Sequence, residues 1–269
     1  GMHEAFTVAR SSHRGPVFVD VPMDELFNAS AGEVAPGGPS RGQDPDTDAL
    51  DTIADLLVGA SRPVLVLGTD VWADGAEEAA LRLVEELGVP AITNGMGRGI
   101  VPGGHPLLAT KARGQALGTA DLVVVVGTPL DFRLGYGVFG GKDGAEPARV
   151  VHVADSPGQV SGHAALAASV AGDLTACLDG ILEAVDRRGR TSYAGWSTSL
   201  QETARAAAER DAALLTAEAD PIHPARIYGE LVPRLADDAV VIGDGGDFVS
   251  FAGKFVEPKR PGGWLDPGP

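Results

Sequence analysis

Residues 121–137 read DLVVVVGTPLDFRLGYG, and the reading of this stretch decides the fold. Leu122 to Val126 are apolar without a break. A strand wetted on one face alternates apolar with polar residues, so an unbroken run predicts a strand buried on both faces, as in a parallel sheet covered by helices. The run ends at Gly127 and the chain turns polar, with Asp131 and Arg133 just beyond the strand end. A carboxylate and a guanidinium at that place form either the lip of a ligand pocket or an ordinary ion pair at a strand-to-loop exit. The opening stretch alone leaves both readings standing.

The flanking sequence repeats the pattern. DTDALDTIADLLVGASR carries apolar residues three and four apart and predicts a helix capped by Asp46 or Thr47. PVLVLGTD is a second buried strand, DGAEEAALRLVEELG an amphipathic helix with Gly88 at its stop, and PAITNGMGRG a short strand running into a glycine loop. TKARGQALGTA reads as helical, ARVVHVADSP as a further strand, and ASVAGDLTACLDGILEAVDRR as a short strand followed by a helix from Asp173. Strands alternating with helices predict an α/β fold: a doubly wound parallel sheet with helices on both faces, over residues 47–188. Such sheets bind ligands at the carboxyl ends of their strands. Those ends are Gly68-Thr69-Asp70, Thr93-Asn94, Gly127-Thr128, Ala154-Asp155 and Gly172-Asp173, all small or polar.

Both ends of the chain read as incomplete pieces of two further α/β domains. GPVFVDVP, Gly15 to Pro22, predicts an orphan strand within residues 1–30, and residues 31–46 read as a Gly/Pro-rich linker. A helical linker spans 189–222, and residues 223–269 hold a helix, then AVVIGDGGDFVSFA as strand, glycine turn and helix start. An orphan strand in front and an unfinished βα unit behind predict an internal portion of a longer protein. The 21 basic against 37 acidic residues give a net charge of −16, which argues against nucleic acid and anionic membranes as partners. No apolar run has transmembrane length, the start is unlike a signal peptide, and Cys177, the only cysteine, sits at core spacing in a helix. A cytoplasmic protein is the expectation.

RPVLVLGTD, PAITNGMGRG, ADLVVVVGTPLDFR and RVVHVADSP, in that order and spacing, resemble the middle domain of thiamine-diphosphate-dependent enzymes of the acetolactate synthase group. GPVFVDVPMDELF resembles the end of that family's first, pyrimidine-binding domain, and PIHPARIYGELVPRLADDAVVIGDGGDFVSF the beginning of its third, diphosphate-binding domain. No G-x-G-x-x-G opens a helix after a strand, which counts against a nicotinamide-type Rossmann domain. The resemblance implies a homo-oligomeric enzyme that decarboxylates a 2-keto acid such as pyruvate and ligates the product, using thiamine diphosphate and Mg²⁺ between first and third domains. It also implies a middle domain that is structural or binds FAD or an ADP-type nucleotide without redox use.

Carried over residue by residue, Gly68, Thr69 and Asp70 would approach the nucleotide, and Thr93 and Asn94 would line the next edge. Lys111 and Arg113 would meet phosphate or flavin, Gly127, Thr128, Asp131 and Arg133 the flavin and ribityl chain, and Gly172 and Asp173 the adenine side. The family's ribose carboxylate position holds Ala154 here, with Asp155 next to it. Gly245 and Gly246 match the turn that approaches the cofactor diphosphate. Gly243-Asp244-Gly245 is not the family's metal motif, which lies later and is followed by Asn-Asn; the asparagines here are Asn28 and Asn94. The resemblance puts the activating glutamate in a first domain ahead of this chain, so no catalytic residue and no metal ligand is assigned within it, and the chain is expected to be inactive alone. Asp247 and Phe248 replace the Gln-His of many acetolactate synthases, and GDGGDFVSF with WLDPGP is also similar to the oxalyl-CoA decarboxylase and 2-hydroxyacyl-CoA lyase branch, which acts on acyl-CoA. A non-catalytic nucleotide-binding module is the third reading.

Overall fold

Five parallel strands form the central sheet of the computed structural model, which describes residues 2–29, 32, 42–144 and 146–266. In chain order they are β1 (Pro63–Leu67), β2 (Ala91–Thr93), β3 (Leu122–Val126), β4 (Arg149–Ala154) and β5 (Ala168–Ala171). Their order across the sheet is β2-β1-β3-β4-β5. The chain therefore reverses direction of travel between β1 and β3, the switch point at which doubly wound sheets open a ligand crevice.

Side-chain alternation divides the core in two. Leu65, Leu67, Val124, Val126, Val151 and Val153 face one way and pack against α2 (Thr47–Val58), α4 (Glu77–Leu87) and α6 (Leu174–Arg188). Val64, Val66, Val123, Val125 and Val150 face the other way, against α5 (Arg113–Thr119) and the first half of α7 (Ala194–Leu215). Both faces are covered, which is why no strand alternates. Asp46 caps α2 by accepting from the Asp48 N–H, Asp173 caps α6 by accepting from Ala176, and Gly88 ends α4 in the left-handed region at φ 64°. Cys177 lies in the first core, where burial pushes its thiol up to about 12.

α7, read from sequence as a linker, also closes the second face: the Trp196 indole donates to the Pro63 carbonyl (3.0 Å) at the start of β1. Its far end joins a small third cluster of Tyr228, Ala252, Val256 and Trp264. These residues lie on or near α8 (Pro224–Leu231), α9 (Gly246–Phe255) and the two-stranded pairing of β6 (Val241–Ile242) with β7 (Trp264–Leu265). Ile242 is 70% exposed, as expected of a strand pair without a full sheet around it.

The front of the chain differs from expectation. Residues 2–10 form helix α1 (Met2–Arg10), and Gly15 to Pro22, expected as a strand, has no regular structure. A strand is held by ladder hydrogen bonds, and among the described residues no strand pairs with this segment. Phe18 is 91% exposed. Most of the expected 31–46 linker lies outside the described residues; its last part, residues 42–46, runs past the end of β5, where the Asp173 N–H donates to the Gln43 carbonyl (2.8 Å).

Candidate functional site

The ends of β1 and β3 touch through backbone. Gly68 donates to the Val126 carbonyl (2.9 Å) and Asp70 to the Gly127 carbonyl (2.9 Å). A Cβ on Gly68 would stand 2.2 Å from Thr128 Cβ and 2.4 Å from the Gly127 oxygen, so only glycine allows this approach. Gly127 itself is left-handed at φ 61°. The Thr69 hydroxyl accepts from the Met96 N–H (3.2 Å), and the Asn94 amide donates to the Thr128 hydroxyl (3.4 Å). The strand ends of β1, β2 and β3 thus converge, bringing Gly68, Thr69, Asp70, Asn94, Gly127 and Thr128 together, with Thr93 and Thr128 buried.

Asp155, one residue past β4, is buried beside Asp70, and both face the imidazole of His13. His13 Nδ1 lies 2.8 Å from Asp155 Oδ2 and 3.8 Å from Asp70 Oδ1. Arg14 follows with an ion pair to Asp74 (3.4 Å) and a hydrogen bond to the Ala73 carbonyl. Burial pushes the Asp70 carboxyl up from its ordinary 3.8 to about 6; the nearby His13 opposes this, and Asp155 and Asp74 add to it. Ala154, at the family's ribose position, is buried in the sheet, while its neighbour Asp155 reaches the crevice.

On the β2 side the site opens into a cleft of about 490 Å³. Thr93, Asn94, Arg98, Lys111, Arg113 and Arg210 line it, and residues of α9 close it. Lys111 pairs with Glu257 (3.1 Å) and Lys254 with Asp211 (2.7 Å), leaving Arg98, Arg113 and Arg210 against the Asp266 carboxylate and the lining positive. Burial pulls the Arg113 guanidinium below its ordinary pKa, and among the described residues it meets no carboxylate; it donates to the Arg133 carbonyl (3.0 Å). A partly buried cation without a counter-ion is desolvated at some cost, and an anionic ligand offsets that cost.

The opening question has a local answer. Asp131 caps the turn after β3 by accepting from the Arg133 N–H (2.9 Å), and the Arg133 side chain returns to the same carboxylate (2.6 Å). Burial works to raise the Asp131 carboxyl, but the Arg133 hydrogen bonds and charge win and hold it below its ordinary value. The pair is partly exposed and self-satisfied, and its backbone holds Arg113. Gly172 and Asp173 meet the chain itself: a Cβ on Gly172 would stand 2.6 Å from the Gln43 oxygen. Gly245 (φ 22°) and Gly246 (φ 68°) form the turn into α9, apart from these strand ends in the chain; nothing lies within 4 Å of a built Cβ, but the left-handed backbone favours glycine at both.

His152, on β4, is buried and neutral. Its Nδ1 accepts from the Ser161 N–H (3.0 Å), so Nε2 carries the proton to the Thr128 carbonyl (3.1 Å). Burial lowers its pKa from 6.5, so its contribution to stability is full above pH 6.5 and is lost as pH falls through the lower folded value. Asp70 has the opposite sign: its contribution is full below 3.8 and is lost as pH rises through about 6. Asp70→Asn removes the opposing slope. Its melting temperature is therefore expected to fall more steeply than wild type between pH 6.5 and 5, and parallel scans of the two proteins check this.

Residues 50–181 match the family model described as "Thiamine pyrophosphate enzyme, central domain". The chain is 43% identical over 276 aligned residues to the acetolactate synthase large subunit IlvG of Mycobacterium tuberculosis, covering 99% of this chain and 48% of that protein. The chain belongs to the thiamine pyrophosphate enzyme family. It is also 28% identical to the 2-hydroxyacyl-CoA lyase 2 of Homo sapiens, again over 99% of this chain and 48% of the relative. Benzoylformate decarboxylase from Polynucleobacter necessarius shares the fold at a TM-score of 0.72 and 18% identity, covering 98% of this chain and 48% of that one. The chain spans about half the length of the curated relatives it matches.

Sequence reasoning missed His13, which reaches this thiamine pyrophosphate enzyme domain from the front segment, and Arg98 within it. His13 comes from the irregular front segment, and no spacing connects it to Asp155, 142 positions away. Arg98 stands inside the quoted PAITNGMGRG motif, yet its partners are carbonyls of α9, at Gly253 (2.8 Å) and Val256 (2.6 Å).

Proposed function

We propose that this chain is the internal part of a thiamine-diphosphate-dependent enzyme that decarboxylates a 2-keto acid such as pyruvate and ligates the product, and that its central domain binds FAD or an ADP-type nucleotide. The cationic cleft at the end of β2, with Arg113 half-buried and without a carboxylate partner among the described residues, carries the nucleotide reading. Lys111 and Arg113 hold the diphosphate, Thr93 and Asn94 bond polar atoms beside it, and Gly68, Thr69, Gly127 and Thr128 admit the ligand backbone-close. Asp70, Asp155, Gly172 and Asp173 lie toward the adenosine end, and Asp131 with Arg133 supports Arg113 at the lip. The likeness to IlvG favours the 2-keto acid.

Gly245 and Gly246, open at the entry to α9, fit a diphosphate group, whose oxygens the backbone N–H groups of such a turn can bind. Thiamine diphosphate supplies the carbanion-stabilising electron sink when bound. The accompanying Mg²⁺ is assigned no ligands within this chain. A homo-oligomer in the cytoplasm, without nucleic-acid or membrane partners, completes the reading; no helix among the described residues is long and apolar enough to cross a membrane.

Calorimetric titration of FAD and ADP tests the cleft. Arg113→Ala is expected to weaken binding by about tenfold or more, since one hydrogen bond to a charged partner contributes roughly 1.5–3 kcal/mol. Arg133→Ala acts only through Arg113 and should weaken it less. No binding of either ligand by wild type makes the central domain a spacer. The 28% likeness to 2-hydroxyacyl-CoA lyases supports a second reading, an acyl-CoA lyase, which ADP binding without FAD binding would favour. The chain by itself is expected to form no acetolactate from pyruvate with thiamine diphosphate and Mg²⁺ present; product in that assay sinks the internal-part reading.

A further inference from the structure

We propose that His13, Asp70 and Asp155 form a binding site for one divalent transition cation of the zinc class, which staples the front segment of the chain to the ends of β1 and β4. One donor atom from each residue lies within 4.8 Å of the others. None of the three lines the cationic cleft, but Asp70 and Asp155 also stand at the adenosine end of the proposed nucleotide, so the cation is tested on the nucleotide-free chain.

The second observation is the Asp155 carboxylate. Its side chain is 3% exposed, Oδ2 meets His13, and Oδ1 is buried without a hydrogen-bond partner. A buried carboxylate oxygen left unpaired is costly, and the imidazole reaches only the other oxygen. Asp70 stands opposite with a second carboxylate. A protonated imidazole brings one positive charge to two carboxylates, whereas a divalent cation brings two. Arg14 does not compensate here, because its guanidinium is taken by Asp74 and the Ala73 carbonyl.

The donor set selects the cation. Mg²⁺ and Ca²⁺ take oxygen ligands, while one imidazole nitrogen with two carboxylates suits zinc and its neighbours. Metal–ligand distances near 2 Å in a tetrahedron put the donors roughly 3.3 Å apart. The His13 nitrogen is now 2.8 Å from one carboxylate and 3.8 Å from the other, on either side of that separation. Asp155 directly follows β4 and Asp70 lies in the short helix after β1, both held by the sheet, so small side-chain rotations bring the third donor into place. Three protein ligands leave a fourth position for water or another oxygen.

The metal-free chain titrated with Co²⁺ and then Zn²⁺ tests the site. One equivalent of Co²⁺ is expected to give visible ligand-field bands that Zn²⁺ abolishes, and Zn²⁺ should raise the melting temperature. His13→Gln, on an irregular and half-exposed segment, keeps the fold; it should lose the bands and weaken Zn²⁺ binding at least tenfold. Asp155→Asn should do the same. Absence of one-equivalent binding in wild type overturns the proposal, as does equal binding by wild type and His13→Gln, which would place the metal on other histidines. Mg²⁺ binding with equal or greater affinity than Zn²⁺ also overturns it.

Discussion

Gly68→Val is expected to destabilise the central domain by about 4 kcal/mol, lowering its melting temperature by about 10 °C. Gly68 ends β1 where its neighbour β3 ends in Gly127, and the two chains share a 2.9 Å backbone hydrogen bond. A Cβ there would stand 2.2 Å from Thr128 Cβ and 2.4 Å from the Gly127 oxygen. Neither obstacle is the free end of a side chain, so the strands themselves must part. Gly88→Ala is the comparison: Gly88 is left-handed at φ 64° but a Cβ there meets nothing within 4 Å, and it should cost about 1 kcal/mol. Chemical denaturation of both variants measures the difference. A Gly68→Val protein within 1 kcal/mol of wild type would mean that the ends of β1 and β3 are not in contact, and the crevice between them would lose its frame.

The sheet was legible because burial on both faces leaves a mark in each strand separately. PVLVL and LVVVV have no polar residue to assign to a wet face, and the helices packed on the sheet announce their ends with Asp46, Gly88 and Asp173. Strand-end residues were legible for the same reason, since the rule that ligands sit at carboxyl ends needs only the strand's last residue. What could not be read is whatever depends on a partner distant in sequence. GPVFVDVP has the composition of a strand, but strand formation needs a neighbour, and the segment lies irregular and exposed. Asp131 and Arg133 drew notice by position, yet they satisfy each other, while Arg113 beside them meets no carboxylate among the described residues. His13 had no local signal at all.

Arg98→Ala carries the second large effect, and it separates the two parts of the molecule. Arg98 leaves the glycine loop after β2 and donates to two carbonyls at the far end of α9, Gly253 and Val256. Its guanidinium also lies 4.5 Å from the ring centroid of Trp264, which is 2% exposed and belongs to the small third cluster. Burial lowers the Arg98 pKa, with Glu257 and Asp266 opposing it, and two charge-assisted bonds and a cation–π contact hold the guanidinium in place. Removing them also leaves helix-end carbonyls buried without donors. The expected loss is about 3 kcal/mol, confined to α8, α9 and the β6–β7 pair, because no residue of the central sheet depends on those bonds. Amide exchange in α9 should then quicken by about a hundredfold while β1, β3 and β4 stay protected as in wild type. The readout matters for function, since α9 begins at Gly245 and Gly246. An anchor at its far end holds the turn proposed to receive a diphosphate, and the same arginine lines the cleft proposed for the nucleotide. Unchanged exchange in α9 would show that the third cluster holds itself together, and would remove Arg98 as the tie between the two sites.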